Sequence, residues 1–275
     1  MSKVLGLEAE LMGAATEKAA ADLLSAAGWG RLQEVGELAD SLLGMPFFVA
    51  LSLQRQMLTK KVIKSSWKFG KFGQHILRTF RSQGVLQASV KFELPPLAVF
   101  GYCLAREPGM SHDTAKVALS EPETHLSGNT LCEFHAARRA DGVTQTMMED
   151  VRTHDRAVAF ECAVKARLTE GGVAFLTEDD QKREAAAVGS RPQATPDFLI
   201  RGDVPLYIGA AEVRWIEVKN FFGSALGYHR SPMSKQFEKY RRLYGPGAVV
   251  FSLGAGESIR QVLPLDVIVI MLTGL

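Results

Sequence analysis

The sequence lacks the cysteine pattern of a disulfide-stabilised or zinc-binding protein. Its 275 residues include three cysteines, Cys103, Cys132 and Cys162, which lie far apart and form no Cys-x-x-Cys pair. This excludes a disulfide framework and a cysteine-based zinc site, and it favours a reducing compartment. Hydrophobic residues make up 47% and charged residues 23% of the chain, which is typical of a folded globular protein.

Two further absences narrow the class of protein. No run of 18 or more apolar residues occurs, so we expect no transmembrane helix, and the first residues do not follow the pattern of a secretory signal peptide. A glycine-rich loop of the P-loop type is also missing, which argues against an ATP-driven activity. We therefore expect a soluble protein of the nucleus, the cytoplasm or both.

The predicted secondary structure changes near residue 195, from mainly helix to mainly strand. Before it, most segments have helical spacing, including one at Leu5, Leu7 and Leu11. After it, short β-rich runs alternate with glycine and proline clusters. These runs are Asp197–Arg201, Pro205–Ile208, Val213–Lys219, Ala248–Leu253 and Val267–Met271. The sequence therefore predicts a mainly helical region over residues 1–145 and an α/β domain over residues 146–275.

Two helices are predicted within the α/β domain. The first covers roughly Met147–Thr169 and ends at a pair of glycines. The second covers about Pro232–Tyr244, with Ser231 in the N-cap position and Gly245-Pro246 as a stop signal. With the five β-rich runs, these helices complete an alternating α/β pattern.

A basic block lies between Arg55 and Arg81, where eight Lys or Arg residues and several aromatic residues occur without a single acid. Such a block suits a polyanion, because each neutralised phosphate releases counterions. The alternative is a solvated helix face whose aromatic residues enter the core. On the first interpretation the residues that contact nucleic acid are Lys60, Lys61, Lys64, Lys68 and Lys71, together with Arg230 from a later loop. His229, beside Arg230, could contact phosphate, but an ordinary surface histidine is the favoured interpretation.

Residues 95–120 have the pattern of a helix-turn-helix. Two helical segments flank Pro108-Gly109-Met110, and Ser111 occupies the N-cap position of the second segment. The second helix could enter the major groove of DNA. Helical hairpins that bind no nucleic acid are commoner, so this pattern alone leaves both interpretations open.

Charged side chains recur near the ends of two predicted strands. Asp197 opens one strand, and Glu217 and Lys219 lie near the end of another, where alternation puts both on one face. If the two strands pair, Asp197 joins them. Two neighbouring carboxylates repel, but Mg²⁺ or Mn²⁺ converts that repulsion into binding and keeps positions free for phosphate oxygens. Lys219 could then orient or deprotonate an attacking water, so the pattern predicts phosphodiester hydrolysis.

Three more residues are candidates for the same site. Glu161 is interpreted as part of an apolar stripe on the Met147–Thr169 helix, either as a third metal ligand or as the ion-pair partner of Lys165. Gln236 and Tyr240 share one face of the second predicted helix. They could contact a nucleic-acid backbone or position Lys219.

In chain order, these segments resemble the TPD-motif family of PD-(D/E)XK nucleases. The matching segments are Thr195-Pro196-Asp197-Phe198, Trp215-Ile216-Glu217-x-Lys219, Gln236-Phe237 and Tyr244-Gly245-Pro246-Gly247. The resemblance covers roughly residues 95–275 and is weak or absent over residues 1–50. It implies a restriction-endonuclease-like core, which is a mixed sheet flanked by helices, preceded by helical DNA-binding elements.

The resemblance also implies a role for each candidate residue. It assigns metal ligation to Asp197, Glu217 and Glu161, catalysis to Lys219, and an auxiliary role to Gln236 and Tyr240. The implied activity is Mg²⁺-dependent hydrolysis of DNA, on branched or structured molecules, in the nucleus or cytoplasm. The alternatives are an RNA-directed nuclease and a catalytically inactive module that binds nucleic acid or a protein partner of the codanin type. Many junction-cutting enzymes are homodimers, and no residue pattern here decides the oligomeric state.

Overall fold

A computed structural model describes residues 6–26, 32–141, 150–202 and 206–272, and it has a mixed α/β architecture. Helices fill most of the first half of the chain, and most strands lie after residue 174. The α/β class and the helical N-terminal region are therefore confirmed. None of the described helices combines the length and the apolar character needed to cross a bilayer.

Helices joined by short connections make up most of the N-terminal region. They are α1 (Ala14–Ala26), α2 (Leu32–Leu43), α3 (Phe47–Ser65), α4 (Trp67–Phe92), α5 (Pro96–Leu104), α6 (His112–Ser120), α7 (Pro122–His125) and α8 (Gly128–Ala140). The two helices predicted within residues 95–120 are α5 and α6. Ser111 caps α6 as predicted, because its hydroxyl accepts a hydrogen bond from the Thr114 N–H at 3.1 Å.

The N-terminal helices pack in two groups. Helices α4, α5, α6 and α8 enclose a core that contains Phe100 and Phe134. Helices α1 to α3 instead share a core with Phe222, which follows the last strand residue Lys219 by three positions. The first three helices therefore support the loop that leaves the predicted site.

Glu17 anchors α1 to the strand-rich part of the molecule. Its carboxylate is 1% exposed and accepts hydrogen bonds from the hydroxyls of Ser224 and Ser258, both at 2.6 Å. It also accepts one from the backbone N–H of Ser258 at 3.0 Å. These bonds satisfy a buried charge and fix the loop after Lys219 against α1.

A six-stranded mixed sheet lies at the centre of the C-terminal half, in the order β1-β8-β7-β6-β3-β2. Its strands are β1 (Gly6–Glu8), β2 (Phe175–Thr177), β3 (Phe198–Ile200), β6 (Trp215–Lys219), β7 (Gly247–Phe251) and β8 (Val267–Leu272). A separate hairpin pairs β4 (Leu206–Ile208) with β5 (Ala211–Val213). Strands β6, β7 and β8 are parallel, whereas the remaining pairs in the large sheet are antiparallel.

Helices cover both faces of the large sheet. Helix α9 (Asp150–Glu170) packs Val164 and Leu168 against one face. Helix α11 (Arg230–Tyr244) connects β6 to β7 and packs Phe237 against the other face. Between β2 and β3 lies α10, which spans residues 178–187. The sheet is thus flanked by helices as predicted, while its assignment to the restriction-endonuclease class stays a prediction.

All five predicted β-rich runs contain strands, but the helical spacing at Leu5, Leu7 and Leu11 was wrong. Gly6–Glu8 form β1, which pairs with β8 at the edge of the sheet. Leu5, the first residue of that spacing, lies outside the described residues, as does the predicted boundary between residues 145 and 146. Three residues become a strand here through pairing with a distant segment, which a local pattern does not reveal.

The start of α11 also differs from the prediction. The helix begins at Arg230 with His229 in the N-cap position, so Ser231 lies inside the first turn and is not the cap. His229 stacks on Phe221, with parallel rings 4.3 Å apart. A capping rule based on local residue types does not take this contact into account.

Candidate active site

Asp197, Glu217 and Lys219 meet on one face of the sheet. The antiparallel register pairs Phe198 with Ile216, which puts Asp197 opposite Glu217. Lys219 lies two residues beyond Glu217 on the same face, and its Nζ is 2.6 Å from Glu217 Oε1. The structure therefore brings together three residues that are separate in the sequence.

The two carboxylates are largely shielded from water. Glu217 is 3% exposed, and Asp197 is part-buried. Burial, followed by the charge of Glu217, raises the pKa of Asp197 to about 7. Burial also raises the pKa of Glu217, against the opposing effect of the Lys219 ammonium. Two carboxylates share one ammonium, so the site favours an additional proton or cation.

Gln236 and Tyr240 approach Glu217 from α11. The Gln236 amide donates to Glu217 Oε1 at 2.7 Å and to the Tyr240 hydroxyl at 2.9 Å. The Tyr240 hydroxyl in turn donates to the Thr195 carbonyl at 3.1 Å. Burial and the charge of Glu217 raise the pKa of Tyr240, which keeps this donor protonated. A chain of hydrogen bonds thus links Glu217 to the segment that carries Asp197.

Other side chains, which the sequence analysis did not single out, hold the Thr195-Pro196-Asp197 segment. Gln181 on α10 is buried and donates to the Pro196 carbonyl at 2.8 Å. The Thr195 hydroxyl donates to Glu178 at 3.3 Å, and the Tyr244 hydroxyl donates to the carbonyl just before the segment. In the sequence, Gln181 is distinguished only as a neutral amide in a charged, alanine-rich helix. The fold is needed to show that it is buried.

Trp215 and two glycines fix the end of α11 against β6. The Trp215 ring is fully buried against Gly247, where a Cβ atom would lie 2.1 Å from the ring. The Trp215 Nε1–H donates to the Gly245 carbonyl at 3.0 Å. Gly245 has a φ of +86°, which glycine adopts more easily than other residues. The Tyr-Gly-Pro-Gly segment therefore allows the chain to turn closely around Trp215, which lies two positions before Glu217 on β6.

Glu161 is close enough to Asp197 for its charge to act there, but it is not in the buried stripe of α9. Val164 and Leu168 are fully buried and Phe160 packs against the same core, whereas Glu161 is exposed. At about 100° per residue, Glu161 falls on the flank of the packed face, which corrects the predicted stripe. Its charge still raises the pKa of Asp197. Within the described ranges, no group of three or more His, Cys, Asp or Glu residues is arranged to hold a metal ion.

The donor chemistry nevertheless fits a hard divalent cation at Asp197 and Glu217. Carboxylate oxygens are the protein ligands that Mg²⁺ prefers, and Mg²⁺ commonly binds through one or two carboxylates with water and substrate phosphate in the other positions. Asp197 Oδ2 accepts a backbone hydrogen bond from Val218 at 2.6 Å, which orients the second oxygen of that carboxylate.

An aromatic stack borders Lys219. The Phe221 and His229 rings lie 4.3 Å apart with an angle of 5° between their planes, and the Tyr228 ring lies 3.8 Å from His229. Burial and the nearby Lys219 charge lower the pKa of His229 to about 4, so the imidazole is neutral at neutral pH. The expectation of an ordinary surface histidine was wrong, because the loop after β6 folds back over Phe221.

Four of the five predicted lysine contacts line one pocket. Lys60, Lys61, Lys64 and Lys68 surround it at the junction of α1, α3, α4 and the loop after β6, and we call it the lysine pocket. The Lys60 ammonium donates to the Leu226 carbonyl at 2.7 Å. The basic block therefore forms a concave surface in part, rather than only an exposed helix face.

Lys71 and Arg230 lie outside the residues that line the lysine pocket. The Lys71 ammonium is 5.5 Å from the centroid of the exposed Trp67 ring. Arg230 is exposed at the start of α11, and its charge acts on Lys60. The adjacent His229 is in turn close enough to Lys219 for that charge to act on it.

Comparison with known proteins adds a family and two kinds of relative. Residues 129–272 match the family described as a protein of unknown function with a TPD sequence motif. An uncharacterized protein of Acanthamoeba polyphaga mimivirus is 31% identical over 107 residues, 38% of this chain and 37% of that protein. Human CDAN1-interacting nuclease 1 is 30% identical over 94 residues, 34% of this chain and 30% of that protein.

The matched part of each relative is limited. The bovine CDAN1-interacting nuclease 1 matches over the same length as the human protein, with 30% identity over 94 residues. The chain spans about a third of the length of the curated relatives it matches. No solved structure matches the chain.

Proposed function

The chain belongs to the TPD sequence-motif family, and we propose that it is a metal-dependent nuclease that hydrolyses DNA phosphodiester bonds. The observation that carries the proposal is the meeting of Asp197, Glu217 and Lys219 on one sheet face. The homology to CDAN1-interacting nuclease 1 supports a nuclease-like module. A PD-(D/E)XK site has such a set of donors, and this would explain why Asp197 and Glu217 lie together beside the Lys219 ammonium.

Asp197 and Glu217 would hold Mg²⁺ or Mn²⁺, with Glu161 at the rim. A bound ion of this kind lowers the pKa of water and neutralises charge on a phosphoryl oxygen. The backbone bond from Val218 to Asp197 and the Gln236 bond to Glu217 fix both carboxylates before substrate arrives. Such preorganisation avoids reorientation of the ligands during the reaction.

Lys219 has the position of the catalytic amine. Its side chain is 18% exposed and its ammonium contacts Glu217, so we propose that the ammonium turns to a phosphate oxygen when substrate binds. There it would stabilise the negative charge that develops on the phosphate and orient the attacking water. Tyr240 and Gln236 act on the reaction through Glu217 and are positioning residues.

The substrate we propose is branched or structured DNA, gripped by Lys60, Lys61, Lys64, Lys68, Lys71 and Arg230. The α5–α6 hairpin supplies a second surface toward the duplex, in the manner of a helix-turn-helix. We further propose action in the nucleus or cytoplasm, a codanin-type protein partner, which the name of the human relative suggests, and a homodimer as the assembly that suits a two-fold junction.

A catalytically inactive module that binds nucleic acid or a protein partner is the second candidate. One observation favours it: among the described residues, no three His, Cys, Asp or Glu side chains are arranged to hold a metal ion. Metal dependence separates the two candidates. An RNA-directed nuclease would use the same chemistry, and competition between DNA and RNA substrates distinguishes it.

The direct test is a cleavage assay with labelled linear, flapped and four-way DNA and with RNA, in Mg²⁺, Mn²⁺ or EDTA. Wild type should cut in metal and not in EDTA, and Asp197→Asn and Lys219→Met should each lose at least about a hundredfold in rate. Asp179→Asn and Lys239→Met are matched controls, because both residues are exposed on neighbouring helices. DNA binding without metal binding or cleavage would select the inactive module.

A further inference from the structure

The lysine pocket is a concavity of about 420 Å³ lined by both basic and apolar residues. The basic residues are Lys60, Lys61, Lys64 and Lys68, and Glu93 is the one acid among the lining residues. The apolar residues are Leu24, Met57, Leu58 and Leu226. This volume falls within the range of small-molecule sites, which combine apolar walls with a few polar groups.

Among the residues that line the pocket, one acid accompanies four lysines. Lys68 donates to the Phe92 carbonyl at 2.9 Å and pairs with Glu93 at 3.2 Å, so the single acid is already engaged. Lys60 is part-buried and donates to an uncharged group, the Leu226 carbonyl, while Lys64 is exposed. Burial, then the charges of Lys64 and Arg230, lower the pKa of Lys60. An anion that enters the pocket would relieve this repulsion.

One short loop, which follows Lys219, connects the carboxylate site to the pocket. Leu226, on the pocket wall, follows Lys219 by seven residues. An extended chain of that length spans at most about 25 Å, which corresponds to about seven nucleotides along one strand of B-form DNA. Ser224 in this loop is held by Glu17, and Phe222 is packed against α1 and α3. The pocket therefore lies at a fixed and short distance from the proposed cleavage site.

We propose that the lysine pocket binds a terminal phosphomonoester of the substrate strand, with the end nucleotide against the apolar lining residues. A phosphomonoester carries about 1.5 to 2 negative charges at neutral pH, whereas each internal phosphodiester carries one. Several lysines around one concavity match the more highly charged group. This inference rests on the proposed function and makes the protein an enzyme that cuts near a phosphorylated strand end, either 5′ or 3′.

Binding in EDTA tests the proposal without any cleavage. Fluorescent oligonucleotides that end in a 5′-phosphate, a 3′-phosphate or hydroxyl groups are titrated with full-length protein, and anisotropy gives each dissociation constant. One phosphorylated end should bind about tenfold more tightly than the hydroxyl end, since a charge-assisted contact of this kind is worth a factor of that size. The 5′ and 3′ arms identify which end is recognised.

Variants assign the preference to the pocket. Lys64→Glu, which leaves the Lys60 bond to Leu226 intact, and the double substitution Lys60→Ala with Lys64→Ala should each abolish the preference for the phosphorylated end. Lys71→Ala is the matched control, because Lys71 is an exposed lysine of the same basic block outside the pocket. It should weaken binding to all three oligonucleotides equally and leave the preference unchanged.

The results separate this inference from the proposed function. Equal affinity for phosphorylated and hydroxyl ends, or a preference that survives both pocket variants, overturns it even if the protein cleaves DNA. A preference that the pocket variants remove supports it even if no cleavage is seen, because the readout needs neither metal nor turnover.

Discussion

Asp197 and Glu217 each accept a hydrogen bond from the backbone beside the other. Glu217 Oε2 accepts the N–H of Asp197 at 3.4 Å, and Asp197 Oδ2 accepts the N–H of Val218, the residue after Glu217, at 2.6 Å. Two carboxylates are thereby held close together by the sheet itself. In the metal-free protein their repulsion and burial oppose folding, and in a metal-bound protein the same arrangement provides oriented ligands.

The first prediction is that Asp197→Asn stabilises the metal-free protein. The pKa of Asp197 is about 7 in the folded state against an ordinary value of 3.8, so the folded protein retains a proton between these values that the unfolded chain has lost. Stability attributable to this group is therefore greatest at low pH and falls as pH rises through this window. Near pH 8 the variant should be more stable by on the order of 2–4 kcal/mol, and near pH 4 the two proteins should be alike.

Urea denaturation in EDTA, followed by tryptophan fluorescence, measures this difference. Glu178→Gln, a change at a more exposed acid near the same segment, serves as the control and should show no comparable gain. A wild type that is as stable as Asp197→Asn at the higher pH would show that the carboxylate is not destabilising in the absence of metal.

The second prediction concerns metal binding and its pH dependence. Millimolar Mg²⁺ or Mn²⁺ should raise the melting temperature of wild type, because a ligand that binds only the folded state stabilises it. The effect should increase with pH up to about 7, since the ion must displace the proton held by Asp197. Glu217→Gln and Asp197→Asn should lose the shift. Equal shifts in all three proteins would place the ion elsewhere.

The third prediction assigns Gln236 a positioning role. Gln236→Leu keeps the helix but removes the donor to Glu217 and to Tyr240, so metal affinity should fall by about tenfold. Calorimetry with Mn²⁺ gives the affinity directly. Lys235→Leu, at an exposed position of the same helix, should leave it unchanged. Unaltered affinity in Gln236→Leu would limit the glutamine to packing.

The fourth prediction is that Glu17 contributes strongly to stability although it lies far from the site in the sequence. Glu17→Ala leaves the hydroxyls of Ser224 and Ser258 without their hydrogen-bond acceptor. It should lower the free energy of unfolding by about 3 kcal/mol, as expected for breaking a buried charged network. Asp22→Ala, which removes an exposed ion pair on the same helix, should cost less than about 1 kcal/mol. Chemical denaturation compares them, and similar costs would refute the anchoring role.

Local patterns were sufficient to place five of the strands after residue 195, β3, β4, β6, β7 and β8, and to put Glu217 and Lys219 on one face, because alternation depends only on neighbouring residues. The same rules failed where a distant contact decides the outcome. Gly6–Glu8 form a strand through pairing with β8, and His229, which stacks on Phe221, occupies the N-cap position of α11 in place of Ser231. Glu161 was misplaced because the flank and the centre of a helical stripe differ by less than one residue step.

The supporting residues were harder to find than the central ones. Gln181 and Glu17 carry no motif, and their importance lies in burial next to groups that only the fold brings near. The lysine pocket likewise required the packing of α1, α3 and the loop after β6. A sequence shows where lysines are clustered, but the pocket that they line is formed only in the tertiary structure.

Strand β1 also determines how this protein should be produced in the laboratory. A recombinant fragment trimmed to residues 129–272 would lose β1 and leave the apolar strand Val267–Leu272 with an open edge. Such an edge is a template for intermolecular pairing and aggregation. Expression of the nuclease-like region alone should therefore yield insoluble material, whereas retaining the opening residues should keep the sheet closed on that side.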